Sequence, residues 1–185
     1  MPNASRGRLF DYVKEHVFEF NDRSASGLRP LWNFEFRPHL LDTRFLHYVS
    51  RAFWEEHHFD IPVQFCGLEF SGIPLSLEIA RAKDNDANPS NVLAFRKSKK
   101  SATNLNAVEG FRNSTPVVIV DDILSSGKSV LKAKSELESM FAEVHSAFVI
   151  VDFERDDIDR SCLGIEVTSL FKLSDFGIEK FEIYE

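Results

Sequence analysis

Two adjacent carboxylates, Asp121 and Asp122, follow the apolar run Val117-Val118-Ile119-Val120 and precede Ile123-Leu124-Ser125-Ser126-Gly127-Lys128-Ser129. Four β-branched residues in a row read as a buried strand, and the residues after Ser129 have helical spacing. The strand therefore carries two acids to its carboxyl end. The Ser/Gly loop then sits at a helix N-terminus, where backbone N–H groups hold an anion. Carboxylates accept from sugar hydroxyls and N–H groups take a phosphate, so the pairing suits a sugar phosphate.

Gly127-Lys128-Ser129 also has the tail of a nucleoside-triphosphate P-loop. That motif places its first glycine five positions before the second. Here the position is 122, and it holds Asp. A carboxylate there repels nucleotide phosphates, which argues against that reading.

The elements that must position these residues alternate. Leu9, Val13, Val17 and Phe20 keep helical spacing, with Ser5 as the expected N-cap. Ser24 to Pro30 reads as a loop. Leu31 to Arg37 reads as a strand with Trp32, Phe34 and Phe36 on one parity. Asp42 to His57 is a helix with Phe45, Leu46, Val49, Ala52 and Phe53 on one face and Asp42 or Thr43 as cap. His57-His58 is expected to be a solvated end of that helix. Ile61 to Leu68 is a buried strand. It runs through the turn Glu69-Phe70-Ser71-Gly72 into a helix to about Ala82, a second strand–loop–helix unit.

Asn91 to Arg96 is a strand, and the polar, basic stretch from Lys97 to Asn106 is a surface loop. After the acidic strand come a helix over Lys128–Ala142, a strand over Val144–Val151 and a last strand over Ile165–Leu173. Strands alternating with helices predict an α/β fold, a mostly parallel doubly wound sheet flanked by helices. Ligands of such sheets lie beyond the carboxyl ends of the strands, where Glu69–Gly72, Asp121–Ser129 and Asp152–Arg155 all fall.

The bulk numbers bound the function. The 185 residues suit one domain with a real core, at 43% hydrophobic and 28% charged residues. A net charge of −7 argues against nucleic acid as a main partner. Cys66 and Cys162 fit no metal spacing and read as reduced thiols. There is no apolar stretch of membrane-spanning length, and Met1–Arg8 lacks a signal-peptide core, so a cytoplasmic protein with no membrane partner is expected.

Val118 to Ser129 resembles the phosphoribosyl-pyrophosphate (PRPP) signature of type I phosphoribosyltransferases. The resemblance runs over most of the chain and is strongest to the orotate branch. Cys66–Leu75 is similar to that branch's pyrophosphate loop. Phe95-Arg96-Lys97-Ser98-Lys99-Lys100 is similar to the start of its mobile catalytic loop, and Val108-Glu109-Gly110 to the segment that closes it. Ser169–Phe176 is similar to its last strand and turn.

The resemblance implies a single domain, with residues 1–40 as an N-terminal helix and small hood, 41–185 as the α/β core and 97–107 as the mobile loop. It implies ribose contacts from Asp121 and Asp122, a 5′-phosphate cradle from Ser125, Ser126, Gly127, Lys128 and Ser129, and pyrophosphate contacts from Glu69, Phe70, Ser71 and Gly72. Charge for catalysis falls to Lys100, Lys97 and Arg96, supplied across a homodimer. The implied reaction moves ribose 5-phosphate from PRPP onto a nitrogenous base such as orotate. Mg²⁺ is the implied cofactor, with Asp121 and Asp122 as indirect metal contacts.

The departures concern the catalytic loop and the base site. The loop continues Ser101-Ala102-Thr103 where the family has Asp-His-Gly. Ser71 stands where the family often has Lys, and Lys128 where a small residue is common. Asp152-Phe153 replaces the family's Asp-Arg pair, with Arg155 two positions on. The base is therefore expected to meet Phe34, Phe153 and Arg155. The alternative function is a weak or inactive phosphoribosyltransferase-like protein that senses a phosphorylated ribose or nucleotide.

Overall fold

The computed structural model describes residues 4–20, 32–82, 90–96, 107–110, 112–155, 157 and 159–178. Its centre is a six-stranded sheet built from β3 (Gln64–Leu68), β4 (Val92–Phe95), β5 (Val108–Glu109), β6 (Val117–Leu124), β7 (Val144–Asp152) and β8 (Glu166–Lys172), in the order β5-β4-β3-β6-β7-β8. All neighbours are parallel except β4 and β5. Side chains alternate between two apolar layers. Phe65, Val118, Val120, Phe148 and Ile150 face one layer, and Cys66, Val117, Ile119, Ala147 and Val149 the other. A parallel sheet covered on both faces needs such continuous apolar runs.

The first layer is covered by α1 (Ala4–His16), α2 (Thr43–Glu56) and α3 (Glu69–Ala82), the second by α4 (Lys128–Ser139). α2 is the helix its pattern predicts. Asp42 caps it by accepting from the Arg44 N–H at 2.8 Å, and Phe45, Val49, Ala52 and Phe53 are buried. The Trp54 indole donates to the Ile79 carbonyl at 2.9 Å and ties α2 to α3.

Several local expectations give way to packing. α1 ends at His16, and Phe18–Phe20 is a strand, β1, antiparallel to β2 (Trp32–Phe34). Pairing Phe18 with Phe34 brings their rings to 5.1 Å, an aromatic contact that a continued helix would forgo. Ser5 lies inside α1 rather than at its cap, and its hydroxyl donates to Glu55 Oε1 at 2.6 Å. His57 is not a solvated end. Its ring stacks on Phe53 at 4.4 Å, and its Nε2 lies 2.8 Å from Thr168 Oγ1. α3 begins at Glu69, directly after β3, so the expected turn at Glu69–Gly72 is the helix's first turn. Among the described residues, no helix is long and apolar enough to cross a membrane.

Candidate functional site

β6 does not stop before its acids. The strand runs through Asp121 and Asp122 to Leu124, paired with β7 as far as Leu124 opposite Asp152. On its other side, pairing with β3 ends at Gly67 opposite Val120. β3 ends at Leu68 and the chain turns into α3 there, with Glu69 at a positive φ of 46°. One edge of β6 is thereby opened from Asp121 onward, which exposes the acids to a cleft.

The first turn of α3 lies hard against that opening. A Cβ on Gly72 would stand 2.1 Å from the Val120 carbonyl oxygen, so only glycine permits this approach. The close contact brings Ser71 beside Asp121, whose Oδ1 accepts from the Ser71 hydroxyl at 2.8 Å and from the Asp122 N–H at 3.0 Å. Asp122 Oδ1 in turn accepts from the Ile123 N–H at 2.9 Å. Burial and the charge of Asp122 push Asp121 up to about 8, against the opposing pull of the Ser71 hydrogen bond.

Beyond Leu124 the loop reaches Gly127, which has the left-handed φ of 75° and stands immediately before α4 with no side-chain cap. The first N–H groups of a helix have no acceptor within it, and although the Lys128 N–H reaches Ser126 Oγ at a long 3.5 Å, this end is suited to an anion. A cavity of about 100 Å³ lies there, lined by Asp121 and by Ile123 through Val130. The Lys128 side chain is exposed.

A wider cleft of about 290 Å³ adjoins it, lined by Arg37, Leu68, Glu69, Phe70, Ser71, Asp121, Asp122, Ile123 and Ser129. The two cavities share Asp121, Ile123 and Ser129. Together they form a phosphate-sized cradle that opens into a space for the rest of a sugar phosphate and a second molecule.

The structure brings Glu69, Phe70 and Ser71 to the cleft with the acidic pair and the loop. It does not bring the expected base-site residues there. Phe34 is 5% exposed and packed among Phe18, Trp32, Phe36, Phe153 and Phe176. Its ring is core, because β1 and β2 bury their aromatic face. Phe153 packs on Trp32 with centroids 5.1 Å apart. Arg155 forms a two-point pair with Asp157 through Nε and Nη2, a local closure that occupies its fork. Arg96 pairs with Glu109 at 3.0 Å. Lys97 and Lys100, with the loop they belong to, lie outside the described residues.

Sequence reasoning missed two arginines. Arg160 Nη1 donates to Asp152 Oδ1 at 2.7 Å, across the loop after β7. Arg37 lines the cleft. The available signal for Arg37 was its place directly after the aromatic strand, where the chain leaves the core.

No family model matches the chain. The orotate phosphoribosyltransferase of Bradyrhizobium diazoefficiens is 29% identical over 181 residues, covering 94% of this chain and 97% of the relative. A phosphoribosyltransferase structure from Corynebacterium diphtheriae superimposes with a TM-score of 0.76 at 22% identity, covering 95% of this chain and 99% of that one. The orotate phosphoribosyltransferase of Mycobacterium tuberculosis, solved with 5-phospho-alpha-D-ribosyl 1-diphosphate, has a TM-score of 0.69 at 20% identity, covering 96% and 94%. The fold is thus that of the type I phosphoribosyltransferases, and the sequence is similar to that of the orotate enzymes along nearly its whole length.

Proposed function

Taking the chain as a type I phosphoribosyltransferase of the orotate kind, we propose that it transfers ribose 5-phosphate from PRPP to a ring nitrogen of orotate. The bond from C1 of the ribose to pyrophosphate breaks, the bond from C1 to nitrogen forms, and the base nitrogen gives up its proton. The observation that carries this reading is the open edge of β6, where Asp121 and Asp122 run into the Gly127 loop beneath Ser71.

The residues divide the work by their chemistry. The carboxylates of Asp121 and Asp122 accept from the ribose hydroxyls. Backbone N–H groups and hydroxyls from Ser125 to Ser129, with Lys128 nearby, hold the 5′-phosphate. The first turn of α3, Glu69 to Gly72, borders the leaving pyrophosphate. Charge that develops on pyrophosphate is met by Lys97 and Lys100, with Arg96 beside them. Positioning and electrostatics then do most of the catalysis.

Among the described residues, no three His, Cys, Asp or Glu side chains cluster to hold a metal. The inner oxygens of Asp121 and Asp122 are already occupied by Ser71 and by backbone N–H groups. This donor set fits Mg²⁺ carried in on substrate phosphates and water, with the acids acting through the sugar hydroxyls. When bound, the ion supplies positive charge to the departing pyrophosphate.

Phe70 and Leu77, 58% and 54% exposed, lie seven residues apart on one face of α3. That apolar face supports the reading of a homodimer whose partner lends the loop lysines. Two free cysteines agree with a cytoplasmic setting.

The test is pyrophosphate release from PRPP, Mg²⁺ and a panel of bases that includes orotate. The expected result is orotate-dependent release, abolished in Asp122→Asn. Tight PRPP binding without product from any base would overturn the enzyme and leave a sensor.

A further inference from the structure

The Gly127 loop rests on a segment that does not line its cavity. Beyond β7 the chain reaches Arg160, which precedes the short helical turn Ser161–Leu163. Asp159 Oδ1 opens that turn by accepting from the Ser161 N–H at 2.8 Å, and Gly164 closes it at the left-handed φ of 58°. Leu163 is 3% exposed and lies against Gly127. A Cβ added to Gly127 would stand 3.3 Å from both Leu163 methyl carbons. Leu163 shares its buried cluster with Leu124, Val130 and Ala133, which flank the loop in sequence.

The same turn is tied back to the other end of the loop. Asp152, the last residue of β7, stands opposite Leu124, the last residue of β6, and the Phe153 N–H donates to the Leu124 carbonyl at 2.9 Å. Asp152 Oδ1 accepts from the Glu154 N–H at 2.8 Å and from Arg160 Nη1 at 2.7 Å. The Arg160 carbonyl accepts from the Leu163 N–H at 3.0 Å. These contacts close a circuit that runs from Leu124 through Asp152, Arg160 and Leu163 to Gly127 and back along the loop. Arg160 Nε and Nη2 are buried and have no hydrogen-bond partner among the described residues. A buried guanidinium with open donors is a poor source of stability. What the pair contributes is the placement of Leu163.

We infer that Arg160 and Leu163 are positioning residues for the 5′-phosphate. The Arg160–Asp152 pair holds Leu163 against Gly127, and Leu163 keeps the loop in the shape that aims its N–H groups at a phosphate monoester. The inference rests on the phosphoribosyltransferase reading above and adds to it what holds the phosphate loop ready. Neither side chain lines the cavity around Gly127, so both act through the loop. A loop already in its binding shape loses less freedom when the ligand arrives, and affinity gains by that difference.

Calorimetry with ribose 5-phosphate and with pyrophosphate, Mg²⁺ present, tests it without requiring turnover, and denaturant unfolding is measured beside it. Removing both charges together, Asp152→Asn with Arg160→Met, avoids leaving a lone carboxylate behind. This double variant should keep the wild-type unfolding midpoint and bind ribose 5-phosphate about tenfold more weakly. Its affinity for pyrophosphate, which borders α3 instead, should be unchanged. Arg160→Lys, which keeps a charged contact to Asp152, should recover most of the lost affinity. Leu163→Ala should weaken ribose 5-phosphate in the same selective way from the other end of the circuit. If ribose 5-phosphate binds the double variant as tightly as the wild type, the inference is overturned while the function stands. Equal weakening of both ligands, or a loss that follows a fallen unfolding midpoint, also overturns it, because the segment would then serve only the fold. If the wild type does not bind ribose 5-phosphate, the phosphoribosyltransferase reading itself fails, and this inference with it.

Discussion

The Ser71 hydroxyl donates a 2.8 Å hydrogen bond to Asp121 Oδ1, joining the first turn of α3 to the open edge of β6 across 50 positions of sequence. Ser71 is a neutral donor aimed at one of the two acids proposed to bind the ribose. A hydroxyl that donates to a carboxylate favours its ionised form. Asp121 is pushed up by burial and by Asp122, so Ser71 opposes the drift toward the neutral acid.

Ser71→Ala should therefore weaken PRPP binding at neutral pH and below, with the loss fading above roughly pH 9. Without the donor, Asp121 rises further and is less ionised at pH 7, when the ribose hydroxyls need an acceptor. The midpoint of the KM–pH profile for PRPP should move up by about one unit, as expected for one lost hydrogen bond to a charge. Ser71→Thr, which keeps the hydroxyl, should restore it. Profiles that superimpose for wild type and Ser71→Ala would show that the bond does not tune Asp121.

Asp121 also makes stability depend on pH. Its folded value of about 8 lies above the ordinary carboxylate value of 3.8. A group raised on folding contributes stability that is fully present below its unfolded value and is lost as pH rises through its folded one. The wild type should thus lose stability from Asp121 between roughly pH 4 and pH 8. Asp121→Asn lacks that slope. Its melting temperature relative to wild type should climb from pH 5 to pH 8 and level off above. Parallel melting curves across this range, read by scanning calorimetry, would contradict the raised value.

Gly72→Ala tests the contact that sets the cleft. The added Cβ would stand 2.1 Å from the Val120 carbonyl, and backbone cannot yield as a flexible side chain can. Overpacking of this kind costs about 3 kcal/mol, and the helix shift that relieves it would carry Ser71 from Asp121. Denaturant unfolding should show the loss, with a raised KM for PRPP even where the protein stays folded. A variant with native stability and native KM would mean that the close approach is not needed.

Much of the fold is legible in the chain because local physics and tertiary packing agree there. The run Val117–Val120 can only be a strand buried on both faces, and Asp42 before the Phe45–Phe53 stripe can only open an amphipathic helix. The acids and the Gly127 loop are contiguous in sequence, so the phosphate end of the cleft could be read without coordinates.

The rest of the cleft lining could not be read so, because its residues meet only through packing. Phe34 looks like a stacking platform until β1 pairs with β2 and closes an aromatic core over it. Arg155 looks like a free fork until Asp157, two positions on, fills it. Arg37 carries no motif. It reaches the cleft because the chain leaves the core after Phe36 beside the first turn of α3. Sequence alone thus determined the contiguous part of the candidate site, since the acids and the Gly127 loop follow one another in the chain. Tertiary structure decided which residues line the cleft, since packing buries Phe34 and the pair with Asp157 engages Arg155.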